Sequence, residues 1–85
     1  MSDGAIGKIT HYYANINVAI VELAETLKNG DEIRVSGPST DFSQTVSSMQ
    51  YNHQPIEIGK PGDIIGLKVT NKVKEGDIVY KKPTS

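Results

Sequence analysis

Two stretches of the chain alternate between apolar and polar positions. In Asp31 to Val35, Ile33 and Val35 alternate with Glu32 and Arg34. In Ile65 to Val69, Ile65, Leu67 and Val69 share one face, while Gly66 and Lys68 share the other. Period two marks a half-buried strand, because successive side chains leave opposite faces of extended backbone. Glycine and proline punctuate the rest, and the intervals are short and rich in Ile, Val, Thr and Tyr. That pattern predicts many short strands joined by turns. From Asp41 to Tyr51 the apolar positions change parity: Phe42 and Val46 are even, Met49 and Tyr51 odd. A strand changes faces only by adding a residue, so a β-bulge is expected near Ser47–Ser48. Asn17 to Gly30 is ambiguous. Its Ala, Glu and Leu content, with Asn17 as N-cap and Gly30 as terminator, reads as a helix. The β-branched Val18, Ile20 and Val21, and neighbours that need strand partners, favour a strand.

One phrase occurs three times: KNGDEI at Lys28 to Ile33, KPGDII at Lys60 to Ile65 and KEGDIV at Lys74 to Val79. Each precedes an aliphatic stretch. Pro61–Gly62 supplies the two central residues of a type II turn: proline presets φ and glycine accepts a positive one. Asn29–Gly30 is a turn signal of similar strength. The following aspartate can accept backbone N–H groups at the turn. The phrase therefore reads as a strand-entry turn, and its aspartates as architecture. Catalysis would require the three carboxylates to converge.

The 85 residues suffice for one domain, taken as 1–85 with order expected from about residue 6 to 82 and short frayed ends. The absence of cysteine excludes disulfides, thiol nucleophiles and cysteine zinc sites. Neither a signal peptide nor a membrane span is expected, since the longest aliphatic run is Val18 to Val21. A cytoplasmic monomer without cofactor or metal is the simplest expectation. Net charge is −1, but unevenly distributed: residues 1–59 carry three basic and seven acidic side chains, hence −4, whereas 60–85 carry six lysines and three acids, hence +3. That asymmetry suggests a lysine-rich face, which is either a solvated edge or a phosphate-binding patch.

No catalytic constellation can be assembled. Gly4 to Lys8 has two residues between its glycines where a phosphate loop has four, and Ile9 follows the lysine. Asn71 to Lys74 lacks the aspartate of a guanine-reading segment. His11 and His53 have no evident third ligand. The tyrosines are expected to cap a small barrel. Tyr12 or Tyr13 is the exception, because adjacent strand residues face opposite sides and one of them can stack a base.

The run VSSMQYNHQPIEIGKPGDIIGLKVTNKVKEGDIVY, Val46 to Tyr80, with the upstream LKNGDEIRVSG, resembles the second, β-barrel domain of the translational GTPases elongation factor Tu and elongation factor one-alpha. The resemblance runs from about Ile6 to Lys82 and rests on the G-D-x-x-G of Gly62 to Gly66 and the later Gly76–Asp77. It is at least as close to barrels at the C-terminus of collagenase-like peptidases. It implies an all-β fold, a single small closed barrel of six to seven strands with Greek-key topology, and resolves Asn17 to Gly30 as strand plus turn. In the translation factors this domain holds the aminoacylated end of tRNA and contacts the ribosome. The corresponding pocket positions are Gln50, Asn52 and Ile64. Gln50 keeps a hydrogen bond without charge, and the Ile64 side chain can neither donate nor accept. The resemblance thus implies a stand-alone RNA- or ribosome-binding module without a GTPase domain. Transfer RNA or ribosomal RNA would be its partner, and Tyr12, Gln50, Asn52, Lys68, Lys72 and Lys74 the contacts. Lys81 and Lys82 would be further phosphate contacts. The alternative is a protein-docking module for a GTPase or peptidase-like partner.

Overall fold

The computed structural model describes residues 5–81. Ten strands follow one another: β1 (Ala5–Tyr13), β2 (Val18–Leu23), β3 (Leu27–Lys28), β4 (Glu32–Gly37), β5 (Thr40–Thr45), β6 (Met49–Tyr51), β7 (Gln54–Ile56), β8 (Ile58–Gly59), β9 (Ile64–Lys68) and β10 (Ile78–Lys81). There is no helix among the described residues, so Asn17 to Gly30 resolves as strand, bend, short strand and turn. The all-β reading holds. The expected frayed tail lies outside the described residues beyond Lys81, as does Lys82.

Eight strands form one antiparallel sheet in the order β5-β4-β10-β1-β2-β9-β6-β7, and β3 pairs with β8 separately. The predicted closed barrel of six to seven strands is corrected on this point. The terminal strands β5 and β7 do not pair with each other, so backbone hydrogen bonding leaves the sheet open. The sheet nevertheless curls until β5 meets the end of β9. There the Gln44 side chain takes the place of a strand, donating to the Lys68 carbonyl at 2.8 Å and accepting from the Thr70 N–H at 2.8 Å. A side-chain amide can bridge this seam because it carries both a donor and an acceptor, like the peptide group it replaces.

Inside the curl lie Ile9, Val21, Leu27, Ile33, Val35, Ile65, Leu67 and Val79, all essentially without solvent exposure. The alternation read from the sequence decides this: Ile33 and Val35 point inward from β4, and Ile65 and Leu67 from β9. The bulge expected near Ser47–Ser48 is absent. Val46 to Ser48 instead break the chain into two strands, β5 pairing with β4 and β6 with β9. The parity change therefore marks a crossing between distant places in the sheet. The register irregularities fall in β1, between Ala5 and Gly7 and between Ile9 and His11.

The three repeats build the same turn. In each, the aspartate N–H donates to the lysine carbonyl: Asp31 to Lys28 at 3.1 Å, Asp63 to Lys60 at 3.0 Å, Asp77 to Lys74 at 3.1 Å. The intervening glycines have φ of 95°, 90° and 93°, the positive value a type II turn requires at its third residue. Each aspartate Oδ2 then accepts the lysine N–H, at 2.9, 3.1 and 2.9 Å. Each turn also docks on one residue elsewhere in the chain through a reciprocal pair of backbone bonds. Gly30 donates to Val46 and Asp31 accepts from it; Gly62 and Asp63 do the same with Leu23, and Gly76 and Asp77 with Ile9. The repeated phrase is thus one structural part used three times to fix where a strand begins.

Candidate functional site

The outer face of the sheet carries an apolar groove of about 270 Å³, lined by Tyr13, Ile16, Val18, Ile20, Gln50, Asn52, His53, Ile64, Ile65 and Gly66. Its floor follows from the strand register. In β9, Ile65 and Leu67 face the core, so Ile64, Gly66 and Lys68 face outward. Gly66 lies opposite Ile20 of β2 on one side and Gln50 of β6 on the other. Having no side chain, it leaves a trough between them.

One wall comes from the β1–β2 hairpin. Between β1 and β2, Ile9 is opposite Val21 but His11 is opposite Ile20, so Thr10 is the extra residue of a bulge. Beyond it, Tyr13 turns outward beside Val18 and Tyr12 turns toward the core. Tyr12 is partly buried, and its hydroxyl donates to Asn17 Oδ1 at 3.3 Å. Ile16 sits at the hairpin tip. The opposite wall is the β6–β7 hairpin, whose connection is Asn52–His53 with φ of 55° and 65°. Positive φ at both central residues is the type I′ arrangement that matches the twist of a hairpin. It holds the Asn52 and His53 side chains at the rim.

No Lys, Arg, Asp or Glu lines the groove. Gln50 and Asn52 provide side-chain amides and His53 an imidazole, while the remainder is aliphatic or aromatic. Tyr13, Ile16 and Ile64 are 44%, 55% and 55% exposed, and they are three of the five large apolar side chains that stand in solvent among the described residues. Single exposed apolar residues are ordinary; here several of them line one trough.

A second depression, of about 380 Å³, runs over Gly7 between Lys8 and Glu22. Packing accounts for it: a Cβ on Gly7 would lie 2.7 Å from Val21 Cγ1, so the glycine is there to let strands approach. The first groove has no such explanation. A Cβ on Gly66 would meet Val18 Cγ1 at 3.4 Å, ordinary contact, and Gly66 is not among the positive-φ glycines.

Of the residues named from sequence, the structure brings Gln50 and Asn52 into the groove, beside Ile64. Tyr12, Lys68, Lys72 and Lys74 are not among its lining residues. Lys68 and Lys72 are exposed, and Lys74 heads the third turn. Lys81 pairs with Asp31 at 3.4 Å. Sequence reasoning left Tyr13 undistinguished from Tyr12 and missed Ile16, Val18, Ile20 and His53 as groove residues. The available signal was Ile64–Ile65, since two successive isoleucines in a strand cannot both face the core. Of the histidines, His11 pairs with Glu75 at 3.2 Å and packs its ring 5.0 Å from Tyr13. No cluster of three or more His, Asp or Glu placed to hold a metal occurs among the described residues. No helix among them is long and apolar enough to cross a membrane.

The chain matches no protein-family model. It is 42% identical over 76 residues to an uncharacterized protease of Methanocaldococcus jannaschii, an alignment that covers 88% of this chain and 19% of that protein. It is 33% identical over 78 residues to a collagenase of Porphyromonas gingivalis, covering 89% of this chain and 22% of the relative. The relatives are peptidases. The chain thus spans about a fifth of the length of the curated proteins it matches. Its fold matches the C-terminal domain of a Geobacillus thermoleovorans protein described as a U32 peptidase, with a TM-score of 0.88, 19% identity, and coverage of 94% of this chain and 93% of that one.

These findings correct the translation-factor reading and the RNA-binding role attached to it. The curated relatives are a protease and collagenases, and the matching solved domain comes from a protein described as a peptidase. The physical reason for the misreading lies in the motif. The Gly-Asp phrases that carried the resemblance are turn chemistry, shared by small curled sheets whatever they bind.

Proposed function

We propose that the chain is a non-catalytic docking module that works against a peptidase-like polypeptide. One observation carries the reading: nearly the whole chain aligns with a segment that is only 19% of the M. jannaschii protease. A unit of this kind, with its own core and attached to a much longer protein, meets that protein through its surface. The described residues fit a binding role. The three repeated aspartates accept backbone N–H groups, and the groove that packing leaves unexplained is an apolar trough rather than a cluster of acids and bases.

The test is a chimera. The matching segment of the M. jannaschii protein is replaced by this chain, and its melting is compared with that of the isolated chain by calorimetry. A docked module melts together with the remainder, at a temperature different from its own. Independent melting of the module at the temperature of the isolated chain would overturn the reading.

A further inference from the structure

We propose that the groove floored by Gly66 is the docking surface, and that its occupant is an uncharged, extended segment of the peptidase-like portion bearing branched aliphatic side chains. The inference rests on the docking reading and deepens it.

The chemistry of the lining selects the occupant. No Lys, Arg, Asp or Glu lines the groove. A charged group entering it would lose hydration and meet no Lys, Arg, Asp or Glu counter-charge, so a phosphate, carboxylate or ammonium ligand is disfavoured. The apolar wall of Tyr13, Ile16, Val18, Ile20 and Ile64 matches aliphatic side chains. Gln50 and Asn52 each offer one carbonyl acceptor and one NH₂ donor, the complement of the N–H and C=O of a peptide backbone. The space, about 270 Å³, falls below the ~300–1,000 Å³ of drug-sized ligand sites and suits a few side chains rather than a cofactor.

Gly66 supplies the independent observation. A glycine in a strand interior costs stability and is ordinarily explained by positive φ or by crowding. Neither applies here, because its Cβ position has only ordinary contacts, the nearest at 3.4 Å. What its missing side chain does is let another chain lie close to the backbone of β9. The relatives supply the source of that chain, since about four-fifths of each lies outside the matching segment.

The experiment uses the chimera and the absence of native cysteine. Ile64→Cys probes the groove and Ser43→Cys, on the exposed side of β5, serves as control; both are labelled with a maleimide and read by peptide mass mapping. In the chimera, labelling at position 64 is expected to slow about tenfold or more relative to the isolated chain, with position 43 unchanged. Ile64→Asp is expected to undock the module, so that it melts at the temperature of the isolated variant, whereas Ile64→Leu keeps it docked. Ile64 is 55% exposed, so neither change disturbs the core. Co-melting with position 64 still freely labelled would overturn the groove assignment and leave the docking reading standing. Independent melting would overturn both. Concentration-dependent protection of position 64 in the isolated chain would make a second copy the occupant and overturn the inference.

Discussion

The Gly76–Asp77 turn and the trough over Gly66 use glycine in opposite ways. At Gly76 the backbone demands it: φ is 93° and nothing lies within 4 Å of the absent Cβ, so the constraint is conformational. At Gly66 the backbone makes no such demand, and the lost side chain opens a surface to something outside the chain. The first kind of glycine is shared by three turns that begin strands. Among the described residues the second occurs once, where β2, β9 and β6 run side by side. A residue that local structure requires reveals the fold, and one that local structure does not require points to function.

The sharpest test sets the three turns against one another. Asp77 is 1% exposed, while Asp31 and Asp63 are partly open to solvent. Gly37 packs so tightly on the Asp77 carboxylate that an added Cβ would overlap it. Asp77→Ala removes a buried acceptor, strands the Lys74 N–H and leaves a hole, and is expected to cost about 2–4 kcal/mol. Asp31→Ala and Asp63→Ala are expected to cost about 1 kcal/mol each, since water can reach the freed N–H. Urea denaturation of the three variants checks the order. Equal losses would show that burial does not distinguish the turns.

Next comes the pair of glycines. Gly76→Ala forces a Cβ into the left-handed region and is expected to destabilise by about 1–2 kcal/mol. Gly66→Ala meets no obstacle and is expected to be neutral within about 0.5 kcal/mol in the isolated chain, or slightly stabilising, since alanine is less disordered than glycine when unfolded. A large loss at Gly66 would show that the fold requires this glycine after all, and would remove the reason for reading the trough as functional.

The seam offers a smaller effect. Gln44→Leu keeps the bulk and loses the two short hydrogen bonds across the seam, to the Lys68 carbonyl and from the Thr70 N–H, with a longer one from the Thr70 hydroxyl. A loss of about 1–2 kcal/mol is expected, from two bonds worth roughly 0.5–1.5 kcal/mol each. Hydrogen exchange should rise first at Thr70. Unchanged exchange there would mean the open sheet is held shut by packing alone.

The contrast between turn and trough also explains what the sequence shows. The turns are legible because glycine, aspartate and their spacing are local, and alternation in β4 and β9 is local too. Gln50 and Asn52 were named only as RNA contacts, through a resemblance to the translation factors that the relatives do not support. Tyr13 was not separated from Tyr12, because the bulge at Thr10 that decides which ring faces outward depends on the pairing of β1 with β2. Closure of the sheet was overestimated for a similar reason. Nothing in Gln44 announces that its side chain, rather than a strand ladder, joins β5 to β9. Asn52–His53 hides its turn type as well, because the usual type I′ signal has glycine at the second position, where His53 stands.

The smallest effect is expected at Asp41, which among the described residues is the aspartate outside the repeats. Asp41 bonds the Arg34 guanidinium at 2.9 Å across the β4–β5 hairpin, with both side chains in solvent. That hydrogen bond, with the charge attraction behind it, holds the Asp41 carboxyl below the ordinary aspartate range. A carboxyl lowered in the folded state stabilises the fold at pH values above its unfolded pKa, and that contribution fades as pH falls through the folded value. The loss therefore belongs to the acid side and leaves neutral pH untouched. Solvent screens the pair, so the change in stability should be slight and should shrink further in high salt. Carboxyl NMR titration should place the Asp41 midpoint below the ordinary value in the native chain and return it upward in Arg34→Gln. A midpoint that ignores Arg34→Gln would show that the ion pair does not persist in solution. It would also leave the turn aspartates, whose carboxylates accept backbone N–H groups, as the residues through which acidic groups shape this fold.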